Sequence, residues 1–373
     1  MPKIQKTSES TYIFLKIEDS TLDDVDQTSY RTDLFDLDLQ PPAQGLGALE
    51  ILPLEMIQMA LILLDMQSLT DFRRVNKSAR LITNSIPQYR HIRVHAPALI
   101  RASLNIETAR FFSCQELYEK LCTAECDSCG DFGGYIYLVT CRRVCFLCFT
   151  EKTEYLPLLR TDAIRKFGLY PQHLPGLPCM KSFPGCYSPL ELRCRQRQTL
   201  FDYSAARQAG IVAHGTIHSM EKYASETLAK RLATYNSKLS TRRTGGARPR
   251  PPRLEDSFDG QCSNPKRFMG IIRAPFFNQQ TGSLEWGLHC IACESHHYHR
   301  PLHWRREFTV KGFQDHISEC GEIKEGKHIS QYFIRPPSSQ FPPPSYPPSL
   351  SSILLSAHFV FAGLHHMSCT HVD

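Results

Sequence analysis

The chain has 373 residues, 42% hydrophobic and 21% charged, which excludes a wholly disordered polymer and allows two or three packed domains. Its net charge of +6 is modest but unevenly spread. No stretch reaches the apolar length that spans a bilayer, so a membrane is not an expected partner; the run from Ile353 to Leu364 is too short and contains Ser356 and His358.

The first forty residues carry nine acidic and four basic side chains. Residues 1–45 therefore read as a disordered acidic leader, with a brief strand over Tyr12 to Leu15. No basic stretch followed by an apolar one opens the chain, so no signal peptide is visible. An intracellular location, cytoplasm or nucleus, is expected. The 15 cysteines are then expected to bind metal rather than to form disulfides.

Residues 46–95 are the most strongly patterned. Leu52-Pro53-Leu54-Glu55 opens a helix, with proline in the first turn, where its missing N–H costs nothing. Leu54, Ile57, Leu61 and Leu64 share one face. Met56, Met59, Ile62 and Leu63 make the other faces apolar too, and a helix apolar all round needs burial all round. Ser68 then starts a second helix, with Asp71 as its capping partner and Leu69, Phe72 and Val75 as its inner stripe. Asn76 caps a third helix bearing Leu81 and Ile82. Three short helices cannot bury that much apolar surface among themselves. One face of the first helix is expected to meet another protein. In order, spacing and residue type the segment resembles an F-box: Leu52-Pro53-x-Glu55-Met56, Leu64-Asp65, Leu69 and Val75-x-Lys77. Ala79 departs from the pattern, standing where many F-boxes carry an aromatic residue.

Residues 96–240 follow as a helical, cysteine-rich region. Ala98 to Leu104 and Glu107 to Cys122 have helical spacing, with Leu117 and Leu121 one turn apart. Cys126-x-x-Cys129-Gly130 and Cys145-x-x-Cys148 form two pairs separated by fifteen residues. Each pair can present two thiolates from a tight knuckle, and Gly130 permits the turn. Tyr135 to Val139, aromatic and β-branched, reads as a strand between them. Four thiolates suit one structural zinc ion. Cys122 and Cys141, each four residues before an expected ligand, are the alternatives. Cys179, Cys186 and Cys194 lack knuckle spacing and receive no metal. Residues 150–208 are dense in arginine and lysine. Asp162 to Phe167 reads as a short helix, and a helical pattern returns from Leu190 through Met220 to Leu239.

Residues 241–262 read as a basic Gly/Pro linker; from Lys230 to Arg253 there are eight basic residues and no acidic one. A second zinc unit is expected over 263–334. Cys290-x-x-Cys293 forms a knuckle, and twenty-two residues later His316 and Cys320 sit four apart on one helical face. Phe308 and Phe313 supply its small core. His289, His296, His297, His299 and His303 are the competing ligands. The gap is longer than in DNA-reading fingers, and the free helix face carries Asp315 and Glu319, so nucleic acid is an unlikely partner. The tail 335–373 holds seven prolines between Pro336 and Pro348 and reads as extended or disordered.

No phosphate-binding glycine loop, nucleophile elbow or internal repeat is present, and closed four-ligand sites leave no position for a reactive water. An enzyme is not expected. The expected fold is mainly α: a three-helix module, then a zinc-stabilised α+β region, between disordered tails.

The whole arrangement resembles fungal F-box proteins with a cysteine-rich region after the F-box. The residues carrying this are Leu52-Pro53-x-Glu55, Cys126 to Tyr135, Thr140 to Cys148, Asp162 to Gly168, Trp286-Gly287, Cys290-x-x-Cys293 and Gly312 to His316. The resemblance implies a substrate-recruiting adaptor of an SCF-type ubiquitin ligase. The small adaptor subunit would be one partner and an unidentified protein substrate the other. The expected partner-binding residues are Leu52, Pro53, Met56, Ile57, Leu61, Leu64, Leu69 and Val75. The expected cofactors are two structural Zn2+ ions, on Cys126/Cys129/Cys145/Cys148 and Cys290/Cys293/His316/Cys320. The alternative reading is a zinc-dependent nucleic-acid-binding regulator, supported by the zinc and the basic tracts.

Overall fold

Two short antiparallel strands, β1 (Ile4–Lys6) and β2 (Thr11–Phe14), open the chain. The computed structural model describes residues 4–6, 11–14, 19–24, 45–240, 250–252, 260–294 and 302–329. The expectations for the remaining leader, for most of the basic linker and for the Pro-rich tail lie outside those residues. About half of the described residues are helical, and the strands are short.

Six helices follow: α1 (Leu54–Ile62), α2 (Met66–Val75), α3 (Lys77–Ser85), α4 (Pro87–His95), α5 (Pro97–Asn105) and α6 (Cys114–Leu121). Prolines start α4 and α5, where a missing N–H is free of cost. Asn76 caps α3 as expected, accepting the Ala79 N–H at 2.8 Å. The cap of α2, however, is Asp65 and not Ser68; its carboxylate accepts the Ser68 N–H at 2.9 Å. Ser68 is thus the third helical residue. The inner stripe of α2 also differs. Met66, Leu69, Thr70 and Arg73 are buried, Phe72 is half-buried, and Val75 is 70% exposed. Two successive steps of three residues each fall short of a full turn, so Val75 has rotated away from Leu69. Ala79 is fully buried, and Arg73 of α2 donates to Asn84 of α3 at 3.0 Å.

The cysteine-rich region begins with the hairpin β3 (Tyr135–Tyr137) and β4 (Arg142–Val144), then α7 (Phe146–Glu151), β5 (Leu158–Leu159) and α8 (Arg160–Phe167). Four strands come next: β6 (Cys179–Lys181), β7 (Gly185–Tyr187), β8 (Leu192–Cys194) and β9 (Thr199–Phe201). The expected helix from Leu190 is therefore absent until α9 (Tyr203–His214), which Asp202 caps, followed by α10 (Ile217–Ser240). β9 is the central strand between β5 and β6, and that long-range pairing overrides local helical spacing.

The last region holds α11 (Pro265–Phe268), β10 (Ile271–Arg273), β11 (Phe276–Phe277), β12 (Leu284–Glu285), β13 (His289–Cys290), α12 (Ile291–Glu294), α13 (Val310–Cys320), β14 (Ile323–Lys324) and β15 (Lys327–His328). β10 joins the outer edge of β3, so Ile271 and Ile272 pack with Tyr135 to Val139. One apolar core consequently runs from Leu61 and Leu69 through Leu117 and Tyr135 to Phe277. This core draws on residues on both sides of positions 95 and 262, and a smaller one gathers around Cys290 and Phe308.

The leader is also partly built in. β2 pairs with β13, the Leu22 N–H donates to the Ile271 carbonyl at 3.1 Å, and Asp19, Thr21 and Leu22 are buried. The expectation of a disordered leader does not hold over these residues, because Leu22 joins the apolar core, β2 pairs with β13 and Asp19 is paired with Arg305.

Candidate metal centres and an exposed apolar helix

The first centre is built by two knuckles. Cys126 and Cys129 bracket a tight turn in which the Gly130 N–H donates to the Cys126 carbonyl at 3.0 Å. Gly130 has φ +79°, where a side chain would be strained. β4 delivers Cys145, which caps α7 by accepting the Cys148 N–H on its sulfur at 3.4 Å. The Ser128 N–H points at Cys126 Sγ in the same way, at 3.5 Å. All four sulfurs lie within 4.8 Å of one another, with Cys129 and Cys145 3.7 Å apart. A tetrahedral ion with metal–sulfur bonds of about 2.3 Å needs sulfur–sulfur edges of about 3.8 Å. The four expected ligands are therefore gathered, and they can hold one ion. Hydrogen bonds from Cys129, Cys145 and Cys148 hold the Cys126 thiol well below its usual range, while those to Cys126 push Cys145 and Cys148 up. With a cation bound, its charge would offset the repulsion among four thiolates this close. Cys141 is buried outside the group, its thiol pushed up by burial, and Cys122 lies 3.3 Å from Gln279 Nε2.

The second centre differs from expectation in one ligand. Cys290, Cys293, His316 and His328 bring their ligand atoms within 4.8 Å of one another. His328 Nε2 lies 3.3 Å from Cys290 Sγ and 3.6 Å from Cys293 Sγ, and His316 Nε2 is 3.5 Å from Cys293 Sγ. Cys320 is not the fourth corner. Its sulfur lies 3.5 Å from His316 Nδ1, on the side of the ring away from the cluster. The spacing of four does put Cys320 on the face of His316, but one turn along the helix it reaches the other ring nitrogen. α13 ends at Gly321, and the hairpin β14–β15 turns through Glu325 and Gly326, both at positive φ, to bring His328 back. The one signal for this was Gly326, a turn residue between two short polar–apolar runs. His328 Nδ1 faces the Gly321 carbonyl at 2.9 Å, which fixes the proton there and leaves Nε2 free for a metal. Phe308 and Phe313 form the expected small core, with the His316 ring stacked 4.4 Å from Phe308.

Hydrogen bonding from Cys293 lowers the Cys290 thiol to about 4. Burial opposes a charged His316, but the Cys290 and Cys320 sulfurs outweigh it and raise the ring to about 9. Among the competing histidines, His289 turns to the Trp304 carbonyl and the Glu307 carboxylate, and His303 is outside the group. His296, His297 and His299 lie outside the described residues.

A buried charge network lies between residues adjacent in sequence to both groups, Phe146 and His289. Asp19 accepts from Arg305 through both guanidinium nitrogens at 2.8 Å and from Tyr135 Oη at 2.6 Å. The Arg305 guanidinium sits 3.6 Å from the centre of the Phe146 ring, next in sequence to ligand Cys145. Glu307 pairs with Arg273 at 3.1 Å and with His289 at 3.4 Å. Burial would raise the Asp19 carboxyl, but Arg305 holds it below the usual range; His289 and Arg273 do the same for Glu307. Gly134 makes room for this, since a Cβ there would overlap the Glu307 carboxylate. None of these pairings was visible in the sequence.

The expected partner-binding residues divide. Ile57, Leu61 and Leu69 are buried inside the fold. Leu52 (47%), Met56 (53%) and Leu64 (36%) are exposed, and so is Pro53, which caps α1. Ile51, Leu54, Met59 and Leu63 join them, with Ile51 at 86% and Leu63 at 71% exposure. Val75 is exposed at the end of α2. Seven large apolar side chains exposed within fourteen positions, 51–64, exceed what scattered surface residues explain.

Fold and geometry thus define a chain about half helical, with small sheets and two Cys/His groups able to hold metal ions. No family model matches the chain, and no curated protein or solved structure matches it. No helix among the described residues is long and apolar enough to cross a membrane.

Proposed function

We propose that this chain is an F-box adaptor of an SCF-type ubiquitin ligase, stabilised by two structural zinc ions, and that it recruits a protein substrate. The observation that carries the reading is the exposed apolar stretch from Ile51 to Leu64. Ile57 and Leu61 anchor α1 to the core, while Leu52, Leu54, Met56 and Met59 present an apolar surface outward. This is the division of labour a docking helix needs. The order Leu52-Pro53-x-Glu55-Met56, with Pro53 at the helix start, supports the F-box resemblance. Zinc is favoured by the donor chemistry, four sulfurs in one centre and two sulfurs with two imidazoles in the other. Both sets are closed, which suits a structural ion, and catalysis would lie on the ligase's ubiquitin-conjugating partner.

The test is titration of the purified small adaptor subunit against the full chain. Each large apolar side chain buried on docking contributes roughly 1.5–3 kcal/mol. Leu52→Ala with Pro53→Ala should weaken binding at least tenfold, since about 1.4 kcal/mol is a factor of ten. Metal content should not change. Absence of binding by the unaltered chain would remove the reading, and unchanged binding by the variant would move the interface off α1.

A further inference from the structure

The basic residues between 150 and 208 are sorted by the fold into spent and unspent. Arg165 pairs with Asp162, and Lys181 and Arg197 both pair with Glu107. Arg160 makes no ion pair or hydrogen bond among the described residues. It stands at the first position of α8, where a cation opposes the helix dipole, so the helix gains nothing from it. Arg110 has no carboxylate partner either. Its guanidinium rests 4.8 Å from the centre of the Phe111 ring and donates a long 3.5 Å contact to Cys179 Sγ.

These two arginines line the same open cleft of about 540 Å3. Its walls are apolar, with Phe111, Leu174, Leu177 and Phe201 among them, and no acidic residue lines it. The volume lies within the range of pockets that hold ligands. Two guanidiniums without counter-charges, held above an apolar floor, are complementary to an anion attached to an apolar group. Arginine's planar fork fits a carboxylate through two parallel N–H donors, and the partly desolvated floor strengthens that bond relative to open water.

We propose that this cleft binds an acidic peptide segment, a large apolar side chain resting against the apolar lining while neighbouring carboxylates pair with Arg110 and Arg160. The cleft shares no residue with the Ile51–Leu64 surface, so the inference does not rest on the adaptor reading.

The experiment uses the full, metal-loaded chain and two fluorescein-labelled heptapeptides. One has a central phenylalanine flanked by aspartates, and its twin carries asparagine at every aspartate. Binding is followed by anisotropy. The aspartate peptide should bind at least tenfold more tightly than its twin, and raising salt should weaken it. Arg110→Gln and Arg160→Gln should each reduce its affinity several-fold, and the double change at least tenfold. Circular dichroism and metal content should stay unchanged. No binding of the aspartate peptide, equal binding of the twins, or unchanged affinity in the double variant would each overturn the proposal. Preferential binding of a single-stranded oligonucleotide at the same arginines would also overturn it, by assigning the cleft to phosphate.

Discussion

The Asp19–Arg305 pair supports a quantitative prediction, because it ties the N-terminal segment to Tyr135 and Phe146 beside the first Cys group. Asp19→Ala removes a carboxylate that accepts three hydrogen bonds, two from Arg305 and one from Tyr135. Arg305 is 6% exposed and cannot turn to water without opening the core. Its positive charge is then buried without its paired carboxylate, left with the Tyr135 hydroxyl at 3.1 Å and the faces of Phe146 and Trp304. Removing one partner of a buried ion pair costs about 3–5 kcal/mol, chiefly for the charge left behind. For a chain of this size that lowers the melting temperature by on the order of 5–10 °C. The assay is thermal unfolding of the metal-loaded protein, followed by circular dichroism and calorimetry. Asp19→Leu combined with Arg305→Met should recover most of the loss, since no unpaired charge remains and the two sites are in contact. A shift below about 1 °C in Asp19→Ala would refute the reasoning. It would mean that the leader does not pack on the core in solution.

Two further outcomes follow from the centres and the network. His328→Ala should reduce bound metal from two ions to one per chain, whereas Cys320→Ala should leave two; metal analysis of the purified variants distinguishes His328 from Cys320 as the fourth ligand. Stability should be lost in acid with a defined sign. The Asp19 and Glu307 carboxyls are held below their ordinary values of 3.8 and 4.5. Their contribution is therefore present above those values and disappears as pH falls through the lowered ones. Asp19→Asn should lose less stability than the unaltered chain on that acid limb, measured by urea unfolding across pH 2–6.

Much of the local structure was written in short-range sequence. The two thiol pairs around Tyr135 to Val139 came together as four sulfurs able to hold one ion because each knuckle is a closed turn whose geometry depends on a few adjacent residues. Pro53, Asn76 and the apolar run from Leu52 to Leu64 fixed the start of the helical module and its unusual excess of apolar surface. What failed was whatever depended on a distant segment. Leu192 to Cys194 and Thr199 to Phe201 became strands because β7 pairs with the first and β5 and β6 lie on either side of the second. Cys320 gave way to His328 because a hairpin beyond the helix end decided which ring nitrogen faces the cluster. Asp19 looked like one of many solvated acids until Arg305, 286 residues away, neutralised it inside the core. A sequence records which side chains are charged, apolar or metal-seeking, along with the turns that join near neighbours. Which distant charge is compensated, and which side chain completes a coordination shell, are properties of contacts that exist only once the chain has packed.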